Sequence, residues 1–161
     1  MTSQWRDPVL NRPENSLIGI MYSSFTNKQF NFSWWVNSLA KSRLLDGTGL
    51  KPGQHYGCAL VGNEWDRIFA NGASPAELQV LGTSPTISYE NKHGISNTTY
   101  YIAPSGAMVF ATGSLNWTYA LDSYRYATYY LCAGQNPVVP GMQKLMAHVM
   151  DELIVHHPYS G

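Results

Sequence analysis

The tetrapeptide Glu64-Trp65-Asp66-Arg67 sets two acids and a base within four residues, directly after the apolar run Cys58 to Val61 and Gly62. A glutamate so placed can act as general acid, general base or metal ligand. Glu64 and Asp66 are therefore the candidate catalytic pair, with Asn63 and Trp65 as neighbours able to touch a substrate. Open α/β sheets carry reactive side chains at the C-terminal edge of a strand, and the octet Leu60 to Arg67 has that form. The same residues also read as a helix start, with Asp66 as N-cap and Glu64 a surface acid ahead of Arg67-Ile68-Phe69.

A second polar cluster, Asn11-Arg12-Pro13-Glu14-Asn15-Ser16, precedes an apolar run. Glu14 and Asn15 are candidate substrate-binding residues. They can equally hold a loop in place by hydrogen bonds. Glu14 serves the same site as Glu64 only if the fold brings the two together. Trp117, with Trp34, Trp35 and the pairs Tyr100-Tyr101 and Tyr129-Tyr130, offers flat apolar faces for a sugar or another planar ligand. Core packing explains such residues as well.

Other chemistries find less support. The histidines are His55, His93, His148, His156 and His157, with no His-x-x-x-His pair and no Cys-x-x-Cys, so no metal site is expected within the chain. Ser105 lacks the glycine framing of a nucleophile elbow. Cys58 reads as a small buried hydrophobe; a bridge to Cys132, the other cysteine, stays open. Asn31, Asn97 and Asn116 head glycosylation sequons.

The elements that must position these residues are short. Apolar content and alternation predict strands over Leu17–Tyr22, Phe30–Val36, Tyr56–Val61 and Leu78–Leu81, the last stopped by Gly82 to Pro85. One or two helical turns are expected over Trp65–Ala70, and a surface loop over Ser88–Ser96. Thr98–Ala103 and Ala107–Thr112 flank Pro104-Ser105-Gly106 as a hairpin. Gly113–Ala133 is ambiguous: Leu115, Tyr119 and Leu121 fit a helix, while the tyrosines at 124, 126, 129 and 130 suit a half-exposed surface. Met142, Leu145, Met146, Val149, Met150, Leu153 and Ile154 recur at helical spacing, which predicts a C-terminal amphipathic helix. The expected fold is α/β or α+β, within one domain spanning 1–161.

Bulk properties bound the function. The chain has 161 residues, 44% of them hydrophobic, which is enough for a packed core. Ten Lys and Arg balance ten Asp and Glu. Zero net charge argues against nucleic acid and against an anionic membrane surface as partners. Only 12% of residues are charged, about half the usual share, so the polar surface falls to Asn, Ser, Thr, Gln and Tyr. That style suits a secreted or surface protein. No run is long enough to span a membrane and no signal peptide is evident, so either a cytoplasmic protein or a mature secreted form is expected.

Five motifs occur in order: Trp5-Arg6-Asp7-Pro8, Asn11 to Leu17, Leu60 to Arg67, Ala103-Pro104-Ser105-Gly106-Ala107 and Gly113-Ser114-Leu115-Asn116-Trp117. Together they resemble the C-terminal domain of the N,N-dimethylformamidase large-subunit family, over roughly residues 5 to 125. The resemblance implies a sheet between helices, akin to class I glutamine amidotransferases. It also implies kinship with amidohydrolases that split a non-peptide C–N bond using a mononuclear iron. The glutamate of the family's Gly-x-Glu-Trp-Asp motif falls on Glu64. Where relatives commonly carry tyrosine, this chain has Asn63. The family's upstream His-Asp-Glu-Tyr-Trp motif, which supplies an iron ligand, is missing, so the chain resembles the second half of the family domain. No cofactor is expected unless a partner supplies that motif, and iron would come only with it. Either the first half is another polypeptide or was removed, or the fold has been remodelled without iron. A half-domain would expose a sheet edge and an apolar face. A homo-oligomer or a complementary half is then expected.

The leading reading is an enzyme that transforms a small molecule, with Glu64 as acid/base. A glycan- or small-ligand-binding module and a non-catalytic assembly domain are the alternatives.

Overall fold

The computed structural model describes residues 4–26, 32–122 and 138–155. The element order is α1 (Asn15–Ile18), β1 (Met21–Phe25), β2 (Phe32–Trp35), a 3-10 turn at Arg43–Leu45, β3 (His55–Val61), β4 (Glu64–Arg67), β5 (Gln79–Ile87), β6 (His93–Ile102), β7 (Met108–Ala111), a 3-10 turn at Leu115–Ala120, and α2 (Pro140–Val155).

The strands form three small sheets, ordered β1-β4, β2-β3 and β5-β6-β7. Every pairing among them is antiparallel. Helices and strands mix as an α/β composition requires. Glu64, however, opens an antiparallel strand and does not sit at the end of a parallel one. The expected helical turns after Trp65 are β4 instead. Its four residues pair with β1, a partner distant in sequence that local propensity cannot reveal.

β5 runs straight through the predicted stop at Gly82–Pro85. Pro85 is exposed, and β5 is an edge strand of its sheet, where a residue with no N–H to donate is tolerated. Gly82 is there for close approach: a Cβ on it would lie 2.3 Å from Trp34 Nε1. Trp34 packs against that bare backbone and donates from Nε1 to Thr98 Oγ1 at 2.9 Å. β6 begins at His93, inside the segment expected to be a loop. The 98–112 hairpin forms as predicted, closed by Ala103 N–H to the Ala107 carbonyl at 2.8 Å. Leu17 and Ile18 belong to α1, so the first strand starts four residues later than its apolar run.

α2 lays Met142, Leu145 and Val149 into a core shared with Trp34, Leu60, Trp65 and Trp117. Met150 and Ile154, assigned to the same stripe, are exposed, so the buried face is narrower than the periodicity suggested. Among the described residues no helix is long and apolar enough to cross a membrane. Cys58 is half-buried and disulfide-bonded, so it is not simply a small buried hydrophobe; Cys132 lies outside the described residues. Asn97 and Asn116 are buried and leave no room for a glycan, while Asn31 lies outside the described residues.

Candidate functional site

β1 and β4 lie side by side with Tyr22 opposite Asp66 and Phe25 opposite Glu64. Directly opposed residues share a face of the pair, so Glu64, Asp66, Tyr22 and Phe25 face the same way. The offset at Ser23, where the register shifts, keeps both pairs on that face. Arg6 reaches the same place from the N-terminal segment. Its guanidinium holds Glu14 Oε1 at 3.1 and 3.2 Å and donates to the Tyr22 carbonyl at 3.2 Å. Glu14, Glu64 and Asp66 are thus gathered around one arginine, and three acids outnumber one base.

The electrostatics follow from that geometry. Asp66 has its pKa raised from the ordinary carboxylate value, first by burial and then by the negative charge of Glu64. Arg6 opposes the shift and Glu14 adds a smaller push. Tyr22 is raised as well, by burial first and then by Glu64, with a minor contribution from Asp66. Both groups are biased toward keeping their protons. Glu14 Oε2 is buried and has no hydrogen-bond partner among the described residues.

The turn that delivers Glu64 is clamped from the Gly113–Trp117 segment. Gly62 N–H donates to Ser114 Oγ at 3.1 Å, and Asn63 Nδ2 donates to Asn116 Oδ1 at 3.0 Å. Asp66 N–H donates to the Gly113 carbonyl at 2.9 Å, and Ser96 Oγ donates to the same carbonyl at 2.8 Å. Trp5–Pro8 meets Asn11–Leu17 through the Arg6–Glu14 ion pair. Four of the five ordered motifs are therefore joined in space around Glu64 and Asp66. The fifth makes the β6–β7 turn.

The remaining predicted site residues lie elsewhere. Asn15 is fully buried, and its amide bonds Asn71 Oδ1 at 2.8 Å and Ser74 Oγ at 2.9 Å, a loop tie. Asn63 stays beside Glu64 in the turn, with its backbone at φ +54°. Trp65 alternates away from Glu64 and Asp66 and is 2% exposed. Trp117 is core, edge-on to Trp34 at 5.4 Å and to Phe110 at 6.0 Å. Trp34 is just as deep, so neither is a platform for a sugar. Trp35 stacks on His55 at 4.8 Å. Tyr129, Tyr130, His156 and His157 lie outside the described residues. Arg6 and Tyr22 were missed as site members. Arg6 lies in the first motif and Tyr22 in none, and only the β1–β4 pairing shows what Arg6 reaches.

Among the described residues no three His, Cys, Asp or Glu side chains come close enough to hold a metal ion. Glu14 is committed to Arg6 besides. The described residues do not by themselves fit an iron centre.

Comparison with curated proteins finds no match. A family model does match, over residues 1–130, and that span contains all the acids and motifs just described. It takes in well over half of the 161 residues, and the chain belongs to the N,N-dimethylformamidase beta subunit-like, C-terminal family.

Proposed function

We propose that the chain takes part in hydrolysis of a non-peptide C–N bond, with Asp66 and Glu64 as its proton-transfer groups. The carrying observation is the unequal setting of two neighbouring carboxylates. Asp66 is biased toward its protonated form by burial and by Glu64, whereas Glu64 is exposed. Pairs held in different environments divide acid and base roles between them. In such a reaction water adds to the carbonyl carbon and the C–N bond breaks. Glu64 accepts a proton from the attacking water, and Asp66 gives its proton to the departing amine. Tyr22, held as a neutral phenol opposite Asp66, is a hydrogen-bond donor for the carbonyl oxygen.

The test is amine release from small N-alkyl amides by the protein purified with any bound partner retained. Glu64→Gln is expected to lower the rate by about 10²- to 10⁴-fold with an unchanged melting temperature. An unchanged rate would sink the assignment.

Family membership also supports a larger assembly. We propose that the chain works within a larger assembly, completed by a complementary partner or a second copy. Two-stranded sheets are marginal alone, and Trp5, Val9, Leu10 and Leu17 are exposed in the N-terminal segment. Native mass spectrometry is expected to give a species heavier than the 17.9 kDa chain. A stable species of one chain's mass would refute this.

A further inference from the structure

The opposite side of β4 carries a second feature. A cavity of about 590 Å³ lies between the β1–β4 pair and the β5–β6 turn. Its walls include Ser23, Trp65, Arg67, His93, Gly94 and Ile95, and neither Glu64 nor Asp66 lines it. Its volume is that of a small-molecule site.

Two buried polar groups lack hydrogen-bond partners among the described residues: the indole N–H of Trp65, which lines the cavity, and the hydroxyl of Thr86, which does not line it but lies behind Gly94. Trp65 is 2% exposed and Thr86 1%. Leaving a buried polar group unpaired is unfavourable, so such groups call for an explanation. Both converge beside Gly94, which pairs directly with Thr86 across β5–β6. A Cβ built on Gly94 would lie 3.1 Å from Thr86 Oγ1 and 4.0 Å from Trp65 Nε1. Apart from the chain neighbours of Gly94, nothing else comes within 4 Å of that point. Gly94 itself is exposed. The missing side chain thus leaves a gap whose neighbours are two unpaired polar atoms.

An indole N–H only donates, so whatever satisfies it must offer an acceptor. The charges set the kind of acceptor. Lys92 and Glu90 pair with each other at the cavity's edge. Among the described residues Arg67, on the wall, has no ion-pair partner; it donates to Ser23 Oγ at 3.2 Å and lies over the Phe69 ring at 3.9 Å. Ile95, half-exposed, supplies an apolar wall.

We propose that this cavity binds a small organic carboxylate with an apolar body. The carboxylate enters beside Gly94 toward Trp65 Nε1 and Thr86 Oγ1, and Arg67 supplies the countercharge. The site is independent of the acid pair on the other face.

The indole N–H signal of Trp65, assigned with Trp65→Phe, reports directly on this. Titration of the full chain with benzoate is expected to shift that proton resonance downfield in a saturable way. Benzamide, equal in shape but uncharged, is expected to bind about tenfold or more weakly. Gly94→Val, which fills the gap, is expected to abolish the shift. Arg67→Gln is expected to weaken benzoate by about ten- to a hundredfold. The Arg67 variant carries the test should the valine variant fail to fold. Absence of a saturable indole shift with benzoate would overturn the site. Equal binding of benzamide, or unchanged benzoate affinity in Arg67→Gln, would overturn the carboxylate assignment.

Discussion

Gly113→Ala is expected to destabilise the protein by roughly 4 kcal/mol or more, in the tail that single substitutions seldom reach. Gly113 sits at φ +74°, where a Cβ crowds the backbone at a cost of about 1–2 kcal/mol. That is the smaller part. The Cβ would come to 2.0 Å from the Asn97 carbonyl oxygen and 3.1 Å from Ser96 Oγ. The oxygen belongs to the backbone of β6 and cannot swing aside, so β6 and the Gly113 segment must part. Their separation breaks the bonds that Asp66 N–H and Ser96 Oγ make to the Gly113 carbonyl. Gly106→Ala separates the two effects. Its φ is +87°, but nothing lies within 4 Å of an added Cβ, so only the conformational cost remains. Urea denaturation of both variants checks the prediction. Equal losses would show that the contact with Asn97 relaxes freely.

Asp66→Asn is expected to act in opposite directions on rate and stability. Amide hydrolysis should fall by about 10²- to 10⁴-fold, since asparagine carries no transferable proton. Stability above the folded pKa of Asp66 should rise. Folding raises the Asp66 pKa through burial and the charge of Glu64. The native state therefore holds this proton to a higher pH than the unfolded chain does. Its contribution is fully present below the unfolded pKa and is lost as pH rises through the folded pKa. Above that, an ionised carboxylate is held beside Glu64. Asparagine removes the charge, so the variant's advantage should grow as pH rises through the folded pKa and vanish below the unfolded one. Thermal melts across a range of pH read the sign directly. An advantage that shrinks as pH rises would contradict the account.

The elements legible in the sequence owe their form to local rules. α2 announces itself by helical spacing, and the β6–β7 hairpin by Pro104-Ser105-Gly106 between strand-forming runs. β4 was hidden because Asp66 is also a good N-cap, and only its pairing with β1 decides the matter. β5 was cut short because Gly82 and Pro85 are turn formers by propensity. Here one lies beneath Trp34 and the other faces solvent. The candidate acids were visible by type and spacing. Arg6 and Tyr22 were not, because nothing local ties either of them to Glu64. Trp65 and Trp117 drew attention as aromatic neighbours of polar motifs, and each is buried for packing.

β4 divides its four side chains between two surfaces, the acids on one and Trp65 with Arg67 on the other. A strand's side chains alternate strictly, so adding or removing a single residue between Gly62 and Arg67 would exchange the two sets. Charge would be driven into the core and an indole out into water. The Ser114 and Gly113 clamps pin both ends of this stretch and leave no slack to absorb such a change. Descendants of this chain are thus free to trade one side chain for another here, while the length of the stretch is not negotiable. What is inherited at this place is a count.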